Sequence, residues 1–198
     1  GPRVEPAARG ELTTVLAGTG RRPGWVVGAA IPQLGRSAAW GGDGPLVVEA
    51  DESDGTFLAL GAETAIVTNV EPDHLENWGG EAPLRQAFGR FVTALTGPAV
   101  LCAADAGARD LVTAAGRPVT YGLDPGADYR VAAPAPAGTG VRFELHHAGE
   151  RVDVEVPAAP GVHNATNAAG ALAGLSSEGR RVGKEREPMC RSRWTPYH

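Results

Sequence analysis

The sequence predicts an α/β domain with a mostly parallel sheet and flanking helices, plus a small antiparallel β hairpin region. Short apolar runs bounded by turn residues recur along the chain, and segments with helical spacing lie between several of them. One stretch, Gly140 to Pro157, instead alternates apolar and polar residues across a turn. With 198 residues, 42% of them hydrophobic, the chain can bury a core of one to two ordinary domains.

The apolar runs at Trp25 to Val27, Leu46 to Val48, Ala65 to Val70, Ala99 to Cys102 and Val119 to Tyr121 read as buried strands. Between Pro83 and Leu95 the apolar residues Leu84, Ala87, Phe88, Phe91 and Leu95 fall on one helical face, and Ala106 to Ala115 also reads as a helix. Residues 132–139, AAPAPAGT, read as a Pro/Ala-rich connector. Val141, Phe143 and Leu145, then Val152, Val154 and Val156, make the hairpin, which is expected to sit on a small antiparallel sheet turning at Ala148-Gly149. An alanine-rich helix follows from His163 to Leu175, with Asn164 placed to cap its start. From residue 176 onward aliphatic residues are few and periodicity is lost, so residues 176–198 are expected to be disordered.

Charge and cysteine content narrow the function classes. Residues 1–175 hold 12 basic and 20 acidic residues, whereas residues 176–198 hold six basic and three acidic. An acidic body argues against nucleic acid as the main partner, because neutralising phosphates needs clustered Lys and Arg. No apolar run approaches the roughly 20 residues of a membrane-spanning helix, so no membrane partner is expected. Cys102 and Cys190 cannot form a disulfide framework, which fits a reducing cytoplasm. The chain starts at Gly1 and its one methionine is Met189, so it is expected to begin inside a longer reading frame. Nothing in the sequence fixes an oligomeric state.

Three strings carry candidate chemistry. In LVVEADESDGTFL an apolar run ends in Glu49, Asp51, Glu52 and Asp54, and like charges this close are relieved by a cation with a taste for hard oxygen ligands, such as Mg²⁺. In AIVTNVEPDHLENWG a second strand ends in Asn69, Glu71, Asp73 and His74, which is expected to put both groups on one sheet edge. In PGVHNATNAAGALA, His163, Asn164 and Asn167 occupy a turn and the first turn of a helix, and side-chain amides can read an adenine edge. Each string alone has a plainer reading: a solvated acidic turn, a surface histidine, a helix cap.

Taken together, EADESD, TN-x-EPDH and PG-x-HN-x-x-N resemble the Mur ligase family in order and spacing, over about residues 12–175 and including RRPGWVVGA and VTYGLDPGADYR. The resemblance implies a P-loop-NTPase-like central domain that handles ATP and Mg²⁺. By residue match it implies Glu49 and His74 as magnesium ligands and His163, Asn164 and Asn167 as the nucleotide-contacting segment. Asp51, Glu52 and Ser53 would line the approach of substrate or of a second metal. Within the family, DESDG points to the member that joins L-alanine to UDP-N-acetylmuramate through an acyl phosphate. A murein tripeptide ligase and folylpolyglutamate-type enzymes are the alternatives, and a non-catalytic binding module derived from the same fold is a further one.

Two features depart from that pattern. The phosphate-binding loop GT-x-GKTT expected over about residues 1–8 is replaced by GPRVEPAA, so residues 1–11 read as an aberrant start. The one lysine in the chain is Lys184, in the terminal segment, so no phosphate-loop lysine is encoded. The match stops near Leu175, and residues 176–198 read as non-native read-through. The expectation is an incomplete piece of a ligase, inactive by itself and with no confident catalytic residue.

Overall fold

A computed structural model describes residues 22–31, 35–42, 44–53 and 55–177. The expectations for residues 1–11, for the ELTTVLAGTG segment that follows, for Asp54 and for residues 178–198 with Lys184 lie outside the described residues, whereas Ser176 and Ser177, expected to be disordered, continue the last helix. Strands β1 (Gly24–Ile31), β2 (Arg36–Ala39) and β3 (Leu46–Val48) form one small sheet in the order β2-β1-β3. Strands β4 (Ala65–Val67), β5 (Ala99–Cys102), β6 (Pro118–Gly122), β7 (Tyr129–Ala137), β8 (Gly140–His147) and β9 (Glu150–Val156) form a six-stranded sheet in sequence order. Helices α1 (Leu75–Trp78), α2 (Glu81–Ala94), α3 (Ala106–Asp110) and α4 (Val162–Ser177) flank it.

The six-stranded sheet is parallel from β4 to β7 and antiparallel from β7 to β9, which is the predicted mixed α/β architecture. All four residues of β5 are buried, as required of a central parallel strand covered on both faces. Leu84, Ala87 and Phe88 are buried on the predicted face of α2, joined by Val92, which the spacing did not include, while Phe91 is half-buried and Leu95 lies just past the helix end. Helix α4 runs across the sheet and touches every strand from β4 to β9. The segment predicted helical from Ala106 to Ala115 is instead a short α3 followed by a 3₁₀ turn, Leu111–Thr113. Asp105 starts it, accepting the Ala108 N–H at 2.7 Å.

Three expectations are corrected. Residues 132–139 are not a connector: most of them belong to β7, which carries Pro134 and Pro136. Strand β6 pairs with β7 only at Tyr129 and Arg130, so the prolines lie where, among the described residues, β7 has no neighbouring strand on that side and their missing N–H groups interrupt no ladder there. A register shift between Ala132 and Ala135, with Ala133 at φ 47°, takes up the rest as a bulge. The hairpin of β8 and β9 extends the large sheet through β7 and does not form a sheet of its own. His147 secures that junction, stacking its ring on Tyr129 at 3.8 Å and donating from Nδ1 to the Asp128 carbonyl at 2.9 Å. Finally, β3 and β4 lie in different sheets, so their acidic ends share no single sheet edge. Pairing partners are chosen by distant segments, and β3 pairs in parallel with β1.

Helix α4 lies close to the sheet because its buried side is alanine and glycine: Ala165, Ala168, Ala169 and Ala173 are buried, and Gly170 faces the ring of Tyr121. A Cβ on Gly170 would lie 2.8 Å from that ring, whereas one on Gly89, inside α2, meets nothing within 4 Å. Gly89→Ala is therefore expected to stabilise the fold by about 0.5–1 kcal/mol through helix propensity. Gly170→Ala should destabilise it by about 1–3 kcal/mol through overpacking, against the same propensity. Urea titrations of the two variants check the opposite signs.

The Tyr121 hydroxyl is fully buried without a hydrogen-bond partner. Burial pushes its phenol well above the usual tyrosine range, with the neighbouring Cys102 adding to the rise. A folded-state pKa above the unfolded value gives stability that is complete below about pH 10 and lost as pH rises further. Tyr121→Phe is expected to be neutral or stabilising by up to about 1 kcal/mol at neutral pH. The variant should also unfold less steeply above pH 10 than the wild type, as followed by circular dichroism; an equal alkaline loss in both proteins would contradict this.

Candidate functional site

Glu49 follows β3 directly, and its backbone N–H extends the β1–β3 ladder by donating to the Val26 carbonyl at 2.8 Å. Its side chain takes the next donor along β1: Oε2 accepts the Gly28 N–H at 2.6 Å. Gly28 leaves room for this, since a Cβ there would lie 3.0 Å from Glu49 Oε1. The carboxylate is thus fixed at the C-terminal end of a parallel strand, the usual location of ligands in open α/β sheets. Asp51 Oδ1 accepts the Ser53 N–H at 2.6 Å, forming a side-chain-closed turn. Backbone N–H groups therefore offset part of the like-charge repulsion that the sequence crowds into this loop.

The second string ends β4 in the same sense. Val70 is anchored by its N–H to Asp105 Oδ1 at 3.0 Å, so one carboxylate both starts α3 and holds the strand end. His74 then adopts the left-handed conformation, φ 51° and ψ 33°. A non-glycine residue there costs on the order of 1 kcal/mol and marks an over-determined position. Its backbone N–H donates to Asp73 Oδ1 at 2.8 Å, and its imidazole lies 4.0 Å from Asp73 and 3.8 Å from Glu76.

Two residues that the sequence reading did not single out join the two strings. The Trp78 indole N–H donates to the Glu52 carbonyl at 2.9 Å, and the Asn77 side-chain amide donates to the Ser53 carbonyl at 2.8 Å. The bonds end on backbone carbonyls, which every residue has, so no residue pattern announces them. Among the described residues no three His, Cys, Asp or Glu side chains converge on one point as a preformed metal cage. A cation that keeps waters and shares its shell with substrate phosphates, as Mg²⁺ does, needs few protein ligands.

The third string opens α4. Asn164 does not cap the helix: Gly161, at φ 103°, closes the first turn through its carbonyl, and Asn164 lies inside that turn with 5% exposure. Its Nδ2 donates to the Pro160 carbonyl at 2.7 Å, while its Oδ1 is buried with no partner. An orphaned buried acceptor is rare in native structures and calls for a donor. Asn167 is half-buried one turn further on, and the exposed His163 folds its ring over Gly161.

The family profile described as the Mur ligase middle domain matches residues 46–175. A UDP-N-acetylmuramate–L-alanine ligase from Clavibacter michiganensis subsp. michiganensis is 42% identical over 178 residues, covering 88% of this chain and 37% of that protein. The chain thus spans little more than a third of that relative. The solved UDP-N-acetylmuramate-alanine ligase MurC from Thermotoga maritima superposes with a TM-score of 0.76 at 22% identity, over 92% of this chain and 41% of that one. A MurF ligase from Thermotoga maritima, solved in complex with ADP, superposes with a TM-score of 0.69 at 17% identity, over 87% and 43%. At these identities the two structures establish a shared fold.

Asn164→Ala removes the bond to Pro160 and the stranded Oδ1 together, so the two effects offset each other. The expected loss of stability is below about 1.5 kcal/mol by urea denaturation. A loss several times larger would show that Oδ1 is already satisfied in the free protein.

Proposed function

Since this chain belongs to the Mur ligase family through its middle domain, we propose that residues 12–175 form the nucleotide- and magnesium-handling domain of a ligase joining L-alanine to UDP-N-acetylmuramate. The observation that carries the reading is the fastening of the Glu49 loop to the His74 turn, each beyond the C-terminal end of a parallel strand. The choice of L-alanine ligase rests on the 42% identity to the Clavibacter enzyme.

In this reading Glu49 and His74 supply protein ligands for Mg²⁺, which would neutralise charge developing on the transferred phosphoryl group of ATP. Glu49 is oriented for this by Gly28, whose N–H holds Oε2. The unpartnered Oδ1 of Asn164 would accept an N–H from the nucleotide base, with Asn167 one turn along the same helix and His163 beside it. Asp51, Glu52 and Ser53 would line the approach of substrate or a second metal. What supports ATP at α4 is that orphaned acceptor.

A phosphoryl-contacting lysine has no counterpart in residues 1–183, because the one lysine of the chain is Lys184. The 198-residue polypeptide alone is therefore expected to release no ADP when given ATP, Mg²⁺, UDP-N-acetylmuramate and L-alanine. ADP release requiring both acceptor substrates would overturn that expectation. The domain's function is tested by exchange: residues 46–175 placed in the matching position of the Clavibacter ligase should retain L-alanine-dependent ADP release. Glu49→Gln in that chimera should lower it by about 10²-fold or more. A folded chimera that is indifferent to L-alanine, or to Glu49→Gln, would refute the proposal.

A further inference from the structure

Helix α1 is four residues long, too short to be held by its own hydrogen bonds. What holds it is Trp78 and Asn77. Besides the two bonds to the Glu52 and Ser53 carbonyls, the Trp78 ring lies over Gly55, where a Cβ would come within 3.2 Å of it. The same ring lies 6.1 Å from that of Phe57, and Phe57 packs at 5.0 Å against Phe88 and at 5.1 Å, edge-on, against Phe91. Phe88 belongs to the buried face of α2. A continuous line of contact thus runs from the core helix, through Phe57 and Trp78, to the loop after Glu49 and the turn at His74.

Strands β3 and β4 belong to different sheets, so among the described residues no ladder of backbone hydrogen bonds fixes the distance between their ends. The side-chain bonds from Asn77 and Trp78 take over that task. Neither side chain carries a charge or a proton to transfer at neutral pH, so neither is suited to act on substrate directly. We propose that Trp78 and Asn77 are positioning residues that set the separation of Glu49 from His74, and through it the affinity of the site for a divalent cation. The inference rests on the metal reading of Glu49 and His74 given above.

The test is Mn²⁺ binding to the full 198-residue chain, read from the electron paramagnetic resonance signal of the free ion. Trp78→Phe keeps the ring and removes the indole N–H, and Asn77→Ala removes the other bond while leaving Trp78 in place. Each is expected to weaken Mn²⁺ binding by about 10-fold, as the loss of groups that orient metal ligands does, and the double variant further. Val131→Ala, a buried substitution in β7, is the control: it should lower the melting temperature and leave Mn²⁺ affinity unchanged. If Glu49→Gln abolishes binding while Trp78→Phe and Asn77→Ala bind as the wild type does, the positioning role is wrong and the metal reading stands. If Glu49→Gln binds Mn²⁺ as well as the wild type, or the wild type binds none, both fall together. Should Trp78→Phe fail to fold, Asn77→Ala decides the matter by the same criterion.

Discussion

The close seating of α4 on the six-stranded sheet is the constraint from which most of the structure follows. It is possible because alanine and glycine line the helix where it meets β5, β6 and β7, with Gly170 against the Tyr121 ring. Near contact over that length excludes water from β5 and β6 and from Tyr121, whose hydroxyl is stranded as a result. It also buries the first turn of the helix with Asn164 in it, so the same packing that excludes water from the core creates the unsatisfied acceptor. An amide oxygen left unpaired in such a place is costly unless something completes it.

Much of this architecture was legible in the sequence for local reasons. Apolar runs marked five of the strands, of which β5 is buried along its whole length as expected whereas Leu46 and Val48 of β3 are exposed, and the spacing of Leu84, Ala87 and Phe88 gave the face of α2. Pairing was less legible, since partners are chosen by segments far away in the chain. The separation of β3 and β4 into two sheets could not be read from either strand. Strand β7 was hidden by its prolines, which argue against a strand unless one side of it is free. That condition depends on where β6 ends.

The candidate site divides along the same line. Glu49, His74 and Asn164 stood out because their chemistry is uncommon at the ends of apolar runs, and the structure sets Glu49 and His74 just beyond parallel strands. Nothing in the sequence reading singled out Trp78 or Asn77. Their importance comes from what they touch, two backbone carbonyls across a sequence gap of 24 and 26 residues. Gly28 and Asp105 belong to the same class: one leaves space for a carboxylate, the other pins a strand end and starts a helix with a single side chain.

The outer half of β7 has a consequence for how this protein behaves in a crowded solution. Beyond Arg130 the strand is bonded to β8 on one side and, among the described residues, to no strand on the other, the arrangement from which sheets recruit foreign chains. Pro134 and Pro136 fall in that stretch, offering no N–H to an incoming strand, and the bulge at Ala133 twists the edge out of register. The residues that disguise β7 as a linker thus make its open side a poor template for intermolecular growth.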